Sequence, residues 1–258
     1  MEKIIHYCWF GGNPMPQKLM KYTESWKRYF PDYEIKRWDE SNFDVHQCRY
    51  VSEAYDSKKW AFVSDYARFV VLEQYGGIYF DTDVEVIRPF GEMLELEAFA
   101  AFETEKAIAP GLVLYVKEPH NMIMQKTRAW YESHPFYDEN GERIRINVCG
   151  IFTGILNEYG FIPNGQLQIC GGMTLFPKDY FCPFDDATGL LHMTENTYTI
   201  HWYDKSWMSK GRVLRNKCTR ILHRSFGVDI RAKLSGLKGK NEKEKDLYLD
   251  DFDALGGS

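Results

Sequence analysis

Apolar positions along the chain change period repeatedly, and the changes predict alternating strands and helices. Residues 3–9, KIIHYCW, form a short apolar run that stops at Gly11-Gly12. PMPQKLMKYTESWKRYF follows with apolar residues at helical spacing and Pro16 near the first turn, so the chain opens strand, turn, helix. YEIKRWDESN alternates like a second strand, and residues 47–75 predict two helices broken near Asp56-Ser57. Further strands are expected at 78–87, 97–103 and 111–116, and helices at 119–133 and 150–159. Short strands are expected at 167–175 and 197–202. Strand–helix alternation of this kind marks an α/β protein, and no internal repeat interrupts it.

Two places break the pattern. In WAFVSDYARFVVLEQY, apolar almost all round, Asp65 and Arg68 stand three residues apart and share a helix face. Either they form an internal ion pair, or Asp65 accepts from sugar hydroxyls while Arg68 reaches a phosphate or sugar oxygen with its planar fork. Gly76-Gly77 then turns the chain tightly into IYFDTDV, whose apolar run ends in Asp81 and Asp83. On one strand the two carboxylates would point the same way with Cα atoms ~6.5–7 Å apart, too far to grip one small ion symmetrically. A division of labour follows, with one carboxylate on a divalent cation and the other on a hydroxyl or metal-bound water. The tight turn is expected to bring all four charged groups together. A buried parallel-type strand suits such a site, because ligands bind at the carboxyl ends of strands in α/β sheets.

The 258 residues, 44% of them hydrophobic, suffice for a substantial core. The formal net charge of −5 argues against a nucleic-acid binder, which carries a positive excess to neutralise phosphates. Six scattered cysteines without a C-x-x-C pair suggest reduced thiols and a cytoplasmic setting. The N-terminal stretch is too polar for a signal peptide, and no apolar run reaches the roughly 18 residues of a membrane span. From Lys205 to Lys240 basic residues prevail, over Val213, Leu214, Cys218, Ile221, Leu222 and Phe226 at helical spacing. The expected organisation is a catalytic domain over 1–208, a basic amphipathic helical extension over 209–240 and an acidic, disordered tail over 241–258. The extension either packs on the domain or lies on an anionic membrane surface, which would make the protein peripheral on the inner face of the membrane.

WAFVSDYARFVVLEQYGGIYFDTDV resembles the donor-sugar segment of the DxD glycosyltransferases of family 32, and more distantly that of glycosylating toxins. IIHYCWFGG is similar to that family's opening I-H-x-x-W-x-G strand, and IHWYDKSW to its closing H-x-W-x-x-S-W-like element, so the likeness frames residues 4–207. VCGIFTGIL departs from the G-P-x-x-L-T stretch, with Ile151 where proline is common. The resemblance implies a GT-A fold, a mixed central sheet flanked by helices. It also implies a UDP-sugar or related nucleotide-sugar donor, a divalent cation with Mn2+ preferred over Mg2+, and retention of configuration. Trp9 would stack on the base, with Tyr7 and Thr82 as further donor-binding candidates. Asp65 and Arg68 would hold the donor sugar, Tyr79 would line its pocket and Asp81 would meet ribose or sugar hydroxyls. Asp83 would bind the metal with His201 completing its coordination, and Ser206 and Trp207 would close over the diphosphate.

The implied role is hexose transfer to a saccharide or lipid-linked oligosaccharide in capsular or other surface polysaccharide synthesis. Two other readings compete: a toxin-like effector that glycosylates a host protein, and a metal-dependent phosphoesterase. The phosphoesterase would need a richer cluster of acidic and histidine ligands for two metals.

Overall fold

The computed structural model describes residues 2–204 together with Thr219, Arg220 and His223. Its strands are β1 (Ile4–Cys8), β2 (Glu34–Trp38), β3 (Gly77–Tyr79), β4 (Val84–Val86), β5 (Ala98–Thr104), β6 (Ala107–Ile108), β7 (Leu114–Val116), β8 (Gln168–Cys170), β9 (Met173–Phe176), β10 (Phe184–Asp185), β11 (Leu190–Leu191) and β12 (Thr199–His201). The helices are α1 (Gln17–Tyr29), α2 (Arg49–Asp56), α3 (Trp60–Tyr75), α4 (Met122–Ser133), α5 (Val148–Asn157) and α6 (Lys178–Phe181).

An eight-stranded sheet in the order β2-β1-β3-β7-β5-β9-β8, with β6 added on β5, forms the centre. β1 runs parallel to β2 and β3, and β5 runs parallel to β9. β7 is antiparallel to both β3 and β5, so two reversals leave β3 and β5 pointing the same way. The carboxyl ends of β1, β2, β3, β5 and β9 therefore share one edge. Side-chain alternation along these strands feeds two apolar layers. Ala98, Ala100 and Phe102 pack with α2 to α5, whereas Phe99 and Ala101 pack with Trp26 of α1, Phe30 just after it and Phe181 of α6. The mixed α/β sheet flanked by helices is the architecture expected of the GT-A fold.

The strand expected over 78–87 is divided. β3 leaves the sheet at Phe80, the chain turns with Val84 N donating to Asp81 O at 3.1 Å, and it resumes as β4 paired antiparallel with β12. Helix α1 explains the departure. Trp26 Nε1 donates to Val84 O at 2.8 Å and Val86 N donates to Ser25 Oγ at 2.9 Å, so α1 satisfies backbone groups that a continuous ladder would have used. The aspartates thus lie in a turn, and a common side for both no longer follows. In the expected 111–116 strand only Leu114–Val116 enters the sheet, and Gly111 O accepts from Asp81 N at 3.1 Å just beyond the end of the β3–β7 ladder. The pieces β6, α6, β10 and β11 are too short to show a period.

Gly76 and Gly77 take φ of 65° and 92°. A Cβ on Gly77 would stand 2.6 Å from Ile4 O, so β3 lies against β1 because that residue has no side chain. Of the basic extension over 209–240, only Thr219, Arg220 and His223 are described, and the tail over 241–258 lies outside the described residues. Arg220 pairs with Asp186, its Nε donates to Asp186 O at 2.8 Å, and His223 Nδ1 lies 3.1 Å from Ala187 O. These contacts favour packing on the β10–β11 hairpin at these positions. The five described cysteines are free thiols, and no described helix is long and apolar enough to cross a membrane.

His6 is fully buried under the α3–β3 turn. Trp38 Nε1 donates to its Nδ1 at 3.0 Å, so the ring proton sits on Nε2 and is donated to Gly76 O at 2.8 Å. Burial depresses its pKa from 6.5 to about 4, the Gly76 bond offsetting part of that and Lys36 adding to it. The unfolded chain binds the extra proton first as pH falls below 6.5, so this contribution is complete above 6.5 and is lost as pH falls through about 4. The loss amounts to about 3 kcal/mol. In urea titrations His6→Gln is expected to be less stable than wild type at neutral pH, with a flatter decline toward ~pH 4.5. Equal slopes for the two proteins would contradict the assignment.

Candidate active site at the carboxyl edge of the sheet

Asp65 and Arg68 lie on the face of α3 turned to the sheet, 8% and 3% exposed. Arg68 Nη2 donates to Asp65 Oδ1 at 2.7 Å and lies 3.3 Å from Asp81 Oδ1, while Nε donates to Ser64 O at 3.3 Å. Tyr79 donates its hydroxyl to the same Asp81 oxygen at 3.0 Å, and the Arg68 guanidinium lies 4.8 Å from the Tyr79 ring centroid. Burial pushes the Asp65 carboxyl up against the pull of Arg68, and Asp81, on the same guanidinium nitrogen, adds to the upward shift. Arg68 is held charged by Asp81, Tyr79 and Asp65 despite its own burial. The result is a rigid donor–acceptor surface facing the edge.

Asp83 has a separate set of partners. Its Oδ1 is 3.0 Å from His201 Nε2, its Oδ2 accepts from Asp204 N at 2.9 Å, and its backbone oxygen accepts from Trp202 N at 3.0 Å. Burial opposes ionisation of Asp83, but His201 and the Asp204 amide hold its carboxyl below the usual range. Burial likewise opposes protonation of His201, yet Asp83 raises that imidazole to about 9. His201 Nδ1 and Asp204 Oδ2 are buried atoms without a hydrogen-bond partner among the described residues. The structure thus brings Asp65, Arg68, Tyr79 and Asp81 together in one group and Asp83 with His201 in another. The four expected charges fall into two hydrogen-bonded groups on either side of the turn at 81–84, with Asp81 still within electrostatic reach of His201.

Trp9, half-buried beyond the end of β1, donates Nε1 to Asn13 O at 2.7 Å, which fixes its ring at the rim. Tyr7 meets Trp26 edge-on at 5.6 Å on the other face of β1. Thr82 is partly exposed at the centre of the turn. Ser206 and Trp207 lie outside the described residues. Of the closing element, the segment up to Asp204 is described. Its first two residues, Ile200 and His201, end the strand β12, and the Asp204 carboxylate pairs with Lys18 of α1.

Two residues of this edge escaped sequence reasoning. Gly111 backs the Asp81 carboxylate so closely that a Cβ there would stand 1.9 Å from Asp81 Oδ2 and 3.2 Å from Arg68 Nη1. The Pro110-Gly111 pair signalled a turn, but only the fold shows what the turn approaches. Glu103, at the end of β5, accepts from Tyr203 OH at 2.6 Å, with Cys149 Sγ at 3.9 Å. Its signal was an acid closing an apolar strand, whose direction in the sheet the sequence did not disclose.

A surface of fixed carboxylates and a guanidinium beside a carboxylate–imidazole pair, at the carboxyl edge of an α/β sheet, is suited to binding a polyhydroxylated, phosphorylated ligand. Residues 16–100, which contain both α3 and the aspartate turn, match the family described as glycosyltransferase sugar-binding region containing DXD motif. The chain therefore carries a glycosyltransferase DXD region.

Two curated relatives agree in class. Inositol phosphoceramide mannosyltransferase 3 of Schizosaccharomyces pombe is 31% identical over 132 residues, 50% of this chain and 36% of that protein. An uncharacterized glycosyltransferase of Acanthamoeba polyphaga mimivirus is 31% identical over 109 residues, 38% of this chain and 42% of that one. The chain thus spans well under half the length of each. Among solved structures, PaToxG glycosyltransferase gives a TM-score of 0.48 at 20% identity, covering 61% of this chain and 68% of its own. The galactosyltransferase LgtC with donor and acceptor sugar analogs gives 0.47 at 15%, covering 93% and 98%.

Gly111→Ala is expected to displace the ends of the Asp81 and Arg68 side chains rather than backbone, because those are the atoms a methyl group would meet. Donor affinity should fall ~10-fold or more through the lost charged hydrogen bonds, with the melting temperature within a few degrees of wild type. Unchanged donor binding in calorimetric titration would show that Asp81 has no part in it.

Proposed function

We propose that the protein is a retaining, metal-dependent glycosyltransferase that moves a hexose from a nucleotide-sugar, a UDP-sugar in the first instance, to a saccharide or lipid-linked acceptor. The observation that carries this reading is the pairing of two neighbouring subsites at one sheet edge. One is the Asp65–Arg68–Asp81–Tyr79 surface inside the matched DXD region, and the other is the Asp83–His201 pair. Fixed carboxylate oxygens suit sugar hydroxyls, which donate in defined directions. The Schizosaccharomyces pombe relative is named as a mannosyltransferase of inositol phosphoceramide, which supports a lipid-linked acceptor and makes GDP-mannose a necessary comparison among donors.

The residues fit a divalent cation. Asp83 Oδ1 and His201 Nε2 offer oxygen and nitrogen donors 3.0 Å apart, and the partnerless Nδ1 is free to carry the proton when Nε2 is a ligand. Among the described residues no third His, Cys, Asp or Glu joins them, so phosphate oxygens and water would fill the remaining positions, as is usual where a cation is shared with a nucleotide. A bound Mn2+ or Mg2+ acts as a Lewis acid on the departing diphosphate. Asp204 N holds the second Asp83 oxygen, so the carboxylate is oriented before any ligand arrives. Arg68 and Asp81 keep the sugar hydroxyls from rotating, and the rim at Trp9 offers a ring face for the base.

Hydrolysis of UDP-Glc, UDP-Gal, UDP-GlcNAc, UDP-GalNAc and GDP-Man, each with Mn2+ and with excess EDTA, tests the proposal. One donor should be cleaved at least ~10-fold faster than the rest, and EDTA should abolish the cleavage. Full activity in EDTA would remove the metal from the mechanism, and no cleavage of any donor would remove the proposal.

The two aspartates should differ in kind. Asp83→Asn is expected to lose nearly all turnover and its response to Mn2+. Asp81→Asn is expected to raise the donor KM ~10-fold or more while the Mn2+ titration midpoint stays near that of wild type. Coincident metal titrations for the two variants would show that the subsites do not divide the work.

A further inference from the structure

Glu103 is a half-buried carboxylate with no described lysine or arginine on it, on an edge that already holds Asp65, Asp81 and Asp83. The four carboxylates share the edge with one guanidinium and the His201 imidazole, an excess of acceptors that the donor groups of a ligand can meet. Its placement follows from topology. β5 runs parallel to β3 through the two antiparallel steps at β7, so the side chain at the end of β5 emerges on the edge where Asp81 leaves β3. One oxygen accepts from Tyr203, two residues beyond His201; the other has only the weak donor Cys149 at 3.9 Å. Acceptor capacity remains open on that second oxygen.

Glu103 also joins the two subsites. The Cys149 thiol at the start of α5 lies within electrostatic reach of Glu103 and of Asp65, Arg68 and Asp81. His201 lies within reach of Asp83, Asp81 and Glu103. The contact geometry agrees: the Tyr203 ring that holds Glu103 lies 4.0 Å from the His201 ring, so Glu103 borders the Asp83–His201 pair.

We infer that Glu103 is a further donor-binding residue, whose open carboxylate oxygen accepts a hydrogen bond from a hydroxyl of the donor sugar and so helps decide which hexose is accepted. The inference rests on the glycosyltransferase reading above. Tyr203 orients the carboxylate by occupying the first oxygen, and the second is left for the ligand. A charged acceptor on a buried hydroxyl discriminates strongly between epimers, since the wrong epimer leaves the carboxylate unpaired.

Glu103→Gln is the informative variant. Its amide oxygen still accepts from Tyr203 and its volume is unchanged, so the melting temperature should match wild type. The test measures UDP and the best-cleaved nucleotide-sugar by calorimetry with Mn2+ present, together with hydrolysis of that donor and of its 4-epimer. UDP affinity is expected to stay within ~2-fold, while the donor KM rises and kcat/KM falls ~10- to 100-fold and the preference over the epimer shrinks. Tyr203→Phe, which removes the orienting bond and keeps the charge, is expected to lose less. Glu103→Gln with wild-type donor kinetics would overturn the inference, as would equal weakening of UDP and UDP-sugar. Cleavage of no donor by wild type would instead defeat the underlying reading, so the two failures are distinct.

Discussion

A single guanidinium sets the geometry of this edge. Arg68 is 3% exposed, and its Nη2 serves Asp65 on its own helix and Asp81 on the neighbouring strand end. Burying a cation between two anions is not an efficient way to stabilise a fold, because desolvation consumes most of the Coulombic gain, whereas removing one partner of a buried pair costs about 3–5 kcal/mol. Such a set is intolerant of change without being a major source of stability. What it secures is position. Apart from Ser64, Glu73 and Gln74 the rest of α3 is apolar and largely buried, so it cannot rotate to expose Arg68 without exposing its packing residues, and Asp81 is tied to a packed helix rather than left on a loop tip.

The second subsite depends on a different constraint. β4 is captured by Trp26 and Ser25 of α1 and by β12, so the chain, which has left the main sheet at Phe80, enters a second ladder immediately after Asp83. Because His201 is the last residue of β12 and pairs in register with Val84, the residue after Asp83, the ladder itself brings carboxylate and imidazole together across more than a hundred residues of sequence. Thus α1, which carries none of the residues of either subsite, decides where Asp83 points.

Much of this was legible in the sequence. The helical period of α1, the interruption between α2 and α3, the alternation of β2 and the apolar run of β5 placed most large elements, since each is long enough to show its period. Asp65, Arg68, Asp81 and Asp83 stood out because charges in apolar surroundings need partners. The strand argument for a common side of the two aspartates does not hold, because a two-residue spacing fixes a side only while the strand continues, and β3 ends at Tyr79. Gly111 and Glu103 were hidden for a related reason. Their importance is a matter of what lies across the sheet edge, and strand order has no local signature.

The arrangement suggests why two aspartates so close in sequence are kept in separate subsites. Two carboxylates on one cation would share its charge and leave the sugar side of the ligand without acceptors. The turn instead gives each a different set of partners: Arg68 and Tyr79 for Asp81, His201 and the Asp204 amide for Asp83. A ligand with hydroxyls at one end and phosphates at the other would meet both sets at once, its two ends held at the spacing of a single tight turn. Because that turn is closed by the Val84–Asp81 bond and backed by Gly111, the spacing does not depend on the ligand, and the entropy of ordering it is met during folding rather than at binding.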